Sequence, residues 1–289
     1  MAKILYGKPV ADAIIADAAK RAQALKERGI TPALAIIRAS AESGRTGAQY
    51  EQLAMQACAA AGVEAYSAYI PDERRLRANV DNINRDASIH GAIFLRPLPS
   101  AEASDLLREK LNPVKDVDGV TISSLSAIFA GHGHAFVPCP AMAALRMLEY
   151  YGVPVEGRHV ALISREMVIG KALAMLLLER GAIVTLCNNM NADLRALCLS
   201  SDIVVSGTNI PGVLGEGCFR AGQTVLDVGD SLPGEGHGGD VDVDAALAAG
   251  ADVAPVQGGV DTASYAMVAL HTAMAAEILS RNVRESHID

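Results

Sequence analysis

The sequence has no tryptophan and only four phenylalanines, and aromatic residues make up 4% of its 289 positions although 51% are hydrophobic. Alanine and valine carry much of that apolar content, so helices and strands can approach closely. Basic charge is also short: 25 Lys and Arg face 33 Asp and Glu, a net charge of −8. With no basic stripe to neutralise a phosphate backbone, the chain is not expected to bind nucleic acid. Apolar runs stay well below the roughly 20 residues that a membrane span needs. The stretch Ala172 to Leu178 is bounded by charge, and no membrane association is expected. Met1 to Gly7 lacks an apolar signal core. The five cysteines, Cys58, Cys139, Cys187, Cys198 and Cys218, show no CxxC spacing and read as free thiols of a reducing cytoplasm.

The chain is long enough for about two domains. Strand-like runs alternate with amphipathic helical ones from end to end, which predicts an α/β fold with parallel sheets. In the first half the expected order is a helix over Ala11 to Arg28, a strand Ala33 to Arg38, a helix Gly47 to Ala61, a strand Glu64 to Ile70, a helix from near Glu73, a strand Gly91 to Leu95 and a helix Glu102 to Leu111. The Gly- and Ser-containing stretch from Pro113 to Pro140 reads as an interdomain connection. A helix Ala143 to Tyr151 then precedes strands His159 to Ser164, Ile183 to Cys187, Ile203 to Ser206 and Thr224 to Val228, with helices between them opening near Ile169 and at Ala192. This is the series of a Rossmann-like domain, whose crevice lies at the carboxyl ends of its strands. The expected division is residues 1–120 with a returning helix, 262–289, and a second domain over 140–261.

Taken singly, few residues speak for chemistry. The strand-to-helix turn Ser164 to Lys171 stands where such a domain binds a pyrophosphate, but its only glycine is Gly170. Glu166 opposes an anion there by roughly 3 kcal/mol at about 5 Å and an effective dielectric near 20, which Arg165 could offset. Tyr50 reads as a packing residue, and Ala54 follows it on the same helical face. His132 and His134 have no neighbouring Cys, Asp or Glu at ligand spacing, so no metal site is expected. Asp116 and Asp118 read as capping or turn residues.

The order of motifs resembles the methylenetetrahydrofolate dehydrogenase/cyclohydrolase (FolD) family over nearly the whole chain. The family's KDVDG stands at Lys115–Gly119, its PLP at Pro97-Leu98-Pro99, and further matches fall at Pro138-Cys139, Asp227-Val228-Gly229, Gly239-Asp240-Val241 and Pro255–Val260. The resemblance implies an N-terminal catalytic domain that binds folate and a dinucleotide-binding domain that uses NADP or NAD. It also implies a homodimer in the cytoplasm. Tyr50, Leu98, Pro99, Asp118, Gly258 and Gly259 become the folate contacts, with Tyr50 and Asp118 at the reaction centre. Ser164, Arg165, Glu166, Asn189 and Asp230 become the cofactor contacts.

The chain departs from the family at the ligand positions. The family's catalytic lysine is Ala54, and the glutamine that hydrogen-bonds it is Leu95. A methyl group carries no proton, so the hydrolytic step loses an acid/base partner of the kind worth 10²- to 10⁴-fold. Asp118 matches the carboxylate that grips the aminopyrimidine edge of a pterin through two parallel hydrogen bonds. The leading expectation is an oxidoreductase acting on 5,10-methylenetetrahydrofolate or a related adduct without efficient cyclohydrolase activity. A non-catalytic, pterin-binding paralogue is the second reading, motivated by the acids Glu166, Asp230 and Asp261 at cofactor or substrate positions. A full bifunctional enzyme is the third, and it needs Arg96 or Arg45 to stand in for the lysine.

Overall fold

In the computed structural model, Ala33–Arg38 forms β1, five of whose six residues are buried. The structure describes residues 2–40, 44–131, 135–164, 166–188, 193–229 and 239–285. β1 is the centre of a three-stranded parallel sheet, flanked by β2 (Glu64–Tyr69) and β3 (Gly91–Leu95). Arg38, at the carboxyl end of β1, lies in register with Tyr69 on one side and Leu95 on the other. Helix α1 (Gly7–Lys26) precedes β1, crossover helices α2 (Gly44–Ala61) and α3 (Glu73–Arg85) join the strands, and α4 (Ala101–Lys110) follows β3. The sequence dictates α3 clearly. The Asp72 carboxylate accepts the Arg74 N–H at its start, and Leu76, Val80 and Ile83 form a buried stripe at helical spacing. The stripe packs on Ile37, Phe94 and Leu107. Its far end is closed from outside, because buried Lys115 donates through Nζ to the carbonyls of Ile83 (2.7 Å) and Asp86 (2.6 Å). The first residue of the KDVDG run is thus a helix cap for α3.

The stretch expected to be an irregular connection contains a helix, α5 (Ile122–Ala130). Thr121 accepts the Ser124 N–H at its start, and Gly131, left-handed at φ 69°, ends it. The buried Asp116 carboxylate fixes the approach by accepting from the Val120 and Thr121 N–H groups and from the Ser124 hydroxyl (2.6 Å). Serine-rich composition hid this helix.

The chain divides into two compact units: residues 12–139 with 265–289, which hold the sheet above, and residues 1–11 with 140–264. Helix α6 (Cys139–Tyr150) leads into the second, which has a five-stranded parallel sheet in the order β5-β4-β6-β7-β8. Its strands are β4 (His159–Ser164), β5 (Ile183–Cys187), β6 (Ile203–Gly207), β7 (Thr224–Asp227) and β8 (Asp252–Ala254). Chain order places β5 on one side of β4 and β6 on the other. The switch point at which a doubly wound sheet opens its crevice is therefore between the ends of β4 and β6, where Ser164 is in register with Gly207. β4 leads into a π-turn at Met167–Lys171 and then α7 (Ala172–Glu179), so the helix starts two residues before the expected Ile169. α8 (Leu194–Ser200) follows β5. Sequence periodicity did not reveal β8 or α9 (Val243–Ala248), which at three and six residues are too short to show one.

The final helix, α10, runs over Asp261–Glu285. Cys58 and Cys139 are buried in the first unit, Cys198 and Cys218 in the second. No helix among the described residues is long and apolar enough to cross a membrane.

Candidate active-site residues

Of the expected folate contacts, Tyr50, Leu98, Pro99 and Asp118 belong to the unit with the three-stranded sheet, and Gly258 and Gly259 to the other unit. Half-buried Tyr50 on α2 meets Tyr265 edge to face, with centroids 5.0 Å apart. Ala54 is fully buried and Leu95 is 5% exposed, so the two positions where the family resemblance places a lysine and a glutamine are apolar and closed to solvent. Leu98 is half-buried and packs on the core of this sheet; Pro99 is exposed. Exposed Arg96 is close enough to Asp118 to act on its charge.

Asp116 and Asp118 differ sharply. Asp116 is saturated by the donors that fix α5, whereas the half-buried Asp118 carboxylate receives no hydrogen bond among the described residues. Burial, with Asp116 adding to it, pushes Asp118 up to about 6, and Arg96 works in the opposite direction. Half-buried and not committed to a donor among the described residues, this carboxylate can accept from water or from a ligand.

The backbone that presents Asp118 is held firmly. Nδ1 of buried His271 on α10 donates to the Val117 carbonyl at 2.9 Å, and its ring stacks on Phe136. Because a carbonyl only accepts, the Nδ1–H form is the one present. The Cys139 thiol donates to the same carbonyl at 3.2 Å, and burial pushes its pKa well above the usual range, so it is a packing and positioning group. Gly119 follows at φ 71°, where an added Cβ would lie 2.6 Å from the Phe136 carbonyl oxygen. Sequence reasoning missed His271, which is far from Val117 along the chain and carries no motif.

In the second unit the Ser164 turn offers a close backbone approach. A Cβ on Gly170 would sit 2.8 Å from that of Ser164, and one on Gly207 would sit 3.0 Å from Val228. Ser164 Oγ accepts the Glu166 N–H, and no side chain caps the helix start among the described residues. The Glu166 side chain is exposed. An uncapped helix start against glycine-thinned strand ends fits the pyrophosphate of a dinucleotide. Arg165, Asn189 and Asp230, like His132 and His134 and the Arg45 side chain, lie outside the described part of the chain.

The other acids of this unit are satisfied. Asp240 accepts from the hydroxyls of Ser206 and Thr208 and from the Ile210 N–H, and Asp227 accepts from the N–H groups of Gly229 and Val241. Burial raises Asp227 to about 7. Asp261, at the start of α10, accepts from the N–H and hydroxyl of Thr262 and from the N–H groups of Gly258 and Gly259. Its carboxylate is folded into its own Gly-Gly turn. Among the described residues no group of three His, Cys, Asp or Glu is placed to hold a metal ion.

Two family models match the chain. The tetrahydrofolate dehydrogenase/cyclohydrolase catalytic domain covers residues 5–118, and the NAD(P)-binding domain of the same family covers residues 138–280. The chain belongs to the tetrahydrofolate dehydrogenase/cyclohydrolase family. It is 35% identical to a bifunctional FolD protein of Paracidovorax citrulli over 96% of this chain and 98% of that one. Among solved structures it is similar to the FolD methylenetetrahydrofolate dehydrogenase/cyclohydrolase of Campylobacter jejuni, at TM-score 0.89 and 26% identity over 96% of this chain and 99% of that one. It is also similar to the Trypanosoma brucei FolD complexed with NADP cofactor and inhibitor, at TM-score 0.87 and 28% identity over 98% and 99% of the two chains. The FolD-family assignment makes the five-stranded sheet the NAD(P)-binding domain, and its switch point is where the glycine-thinned Ser164 turn lies.

Proposed function

We propose that the chain is a methylenetetrahydrofolate dehydrogenase that oxidises 5,10-methylenetetrahydrofolate, or a closely related adduct, and has lost efficient cyclohydrolase activity. The observation that carries the reading is the carboxylate of Asp118, partly buried and without a donor among the described residues. It is an acceptor of the right kind for the paired N–H groups of an aminopyrimidine. Tyr50 packs on the pterin, Leu98 and Pro99 line its site, and His271 and Cys139 hold the Asp118 backbone.

A bound NAD or NADP supplies the hydride acceptor, and Ser164, Arg165, Glu166, Asn189 and Asp230 form its proposed setting. The protein's own task in hydride transfer is alignment. The lone pair of the substrate nitrogen drives hydride from the methylene carbon, so no side chain has to move a proton. Hydrolysis of the methenyl product does need a proton carrier, and the closed Ala54–Leu95 position offers none.

The decisive experiment mixes the protein with methylenetetrahydrofolate and NAD or NADP and follows reduced-nicotinamide absorbance. No signal with either cofactor overturns the dehydrogenase reading and leaves the non-catalytic pterin-binding paralogue, which Glu166 at the phosphate turn favours. Methenyl hydrolysis is expected to be slow and to rise at least tenfold in Ala54→Lys with Leu95→Gln. Fast hydrolysis in the native chain would favour the bifunctional reading. A homodimer belongs to the same proposal. Edge strand β5 exposes Ile183 and Leu186 and has no partner on its outer side among the described residues, and sedimentation equilibrium tests it.

A further inference from the structure

Four buried side-chain polar atoms among the described residues have no hydrogen-bond partner, and two of them, Arg38 Nε and Glu51 Oε2, belong to a single ion pair. The pair is loose. Arg38 Nη1 stands 3.8 Å from Glu51 Oε2, outside hydrogen-bond range, and the guanidinium lies over the Tyr69 ring at 5.4 Å. The side chains are 34% and 18% exposed, so a small adjustment opens them to a ligand.

Their place in the fold gives them meaning. Arg38 pairs in register with Leu95, and residues opposite each other on neighbouring strands point to the same face of a sheet. Glu51 follows Tyr50 on α2, and helical spacing puts Ala54, three residues on, on the same side as Glu51. The family's lysine and glutamine positions are thus apolar, while a polar pair stands one turn earlier on α2 and one strand across. Neither partner is saturated, which is costly unless something else completes them.

Resting on the folate reading above, we propose that Arg38 and Glu51 are specificity-determining residues that recognise an N-formyl tetrahydrofolate in preference to folates without a formyl carbonyl. The open formyl compounds carry a carbonyl oxygen on one of the two bridge nitrogens and an N–H on the other. Arg38 is a donor for the carbonyl and Glu51 an acceptor for the N–H. In the methylene- and methenyl-bridged forms both nitrogens are tied into the ring, so neither complement is offered. A chain without the hydrolytic lysine that still grips the open form is held by it as a competitor of its own substrate.

Calorimetric titration of the full chain with tetrahydrofolate and with 5-formyltetrahydrofolate tests this. Tetrahydrofolate has N–H donors at both nitrogens but no carbonyl there. The native chain is expected to bind the formyl compound at least tenfold more tightly, and the preference should fall below threefold in Arg38→Met with Glu51→Met. That double change removes both charges together and leaves no buried ion unpaired, so the fold should tolerate it. Glu51→Gln, nearly isosteric, provides a second variant and should lower the preference at least threefold. A native chain that binds both compounds equally, or a preference unchanged in these variants, overturns the inference while leaving the folate reading intact. Binding of neither compound overturns both.

Discussion

The acids at the strand ends of the two units are treated in opposite ways. In the NAD(P)-binding unit Asp227, Asp240 and Asp261 are all filled with hydrogen-bond donors from nearby backbone and hydroxyl groups. In the catalytic unit Asp116 is filled in the same manner, yet Asp118, two residues on, receives none among the described residues. Burial raises both Asp118 and Asp227, so a shifted pKa does not separate function from framework here. The donor count does. A carboxylate that has used its lone pairs on the fold cannot also hold a ligand.

Substitutions can break this contrast. The largest effect is expected for Asp118→Ala, which removes two charge-assisted hydrogen bonds and should weaken folate binding by about 3 kcal/mol, or roughly 100-fold in Kd. A tenfold smaller loss by calorimetry would mean that Asp118 is no more a ligand than its neighbours. Asp116→Ala should instead lower unfolding stability by about 2 to 3 kcal/mol in urea denaturation, because three donors lose a buried acceptor.

Asp118→Asn is expected to act with the opposite sign on stability. The folded-state pKa of Asp118, about 6, is raised, so its contribution is favourable below the unfolded carboxylate range and is lost as pH rises through 6. At pH 7.5 the neutral amide should therefore be more stable than the native acid by about 1 to 2 kcal/mol, while folate affinity falls. Equal destabilisation by Asp116→Asn and Asp118→Asn would erase the distinction.

The smallest effect concerns pH alone. Asp227, raised to about 7, holds its proton in the folded state at mildly acidic pH. Its contribution is lost as pH climbs through 7, so the melting temperature should decline by a few degrees between pH 6 and 8 and change less in Asp227→Asn. A flat native profile would show that Asp227 does not hold a proton in this range.

Much of this was legible in the sequence. Alternating buried strands and amphipathic helices gave the α/β class because each run was long enough to show its period, as in Leu76, Val80 and Ile83 of α3. The same rule explains what escaped. β8 is only three residues long, and α5 was masked by serines although Thr121 and Gly131 bracket it with ordinary caps. The motif KDVDG was visible, but its division of labour was not. Nothing local tells that Lys115 caps a helix and Asp116 braces a turn while Asp118 stays open. Arg38 and Glu51 escaped because their relation exists only across a strand and a helix.

The buried thiols carry one more consequence. Cys58 and Cys198 are pushed up to about 12 by burial, one in each compact unit. A thiol that is neither ionised nor reachable reacts with an alkylating reagent only after its surroundings have opened. The two cysteines are therefore native clocks for the two halves of the chain. Pulsed alkylation followed by peptide mass mapping would read, without any engineered label, which half loosens first and by how much a bound ligand delays it.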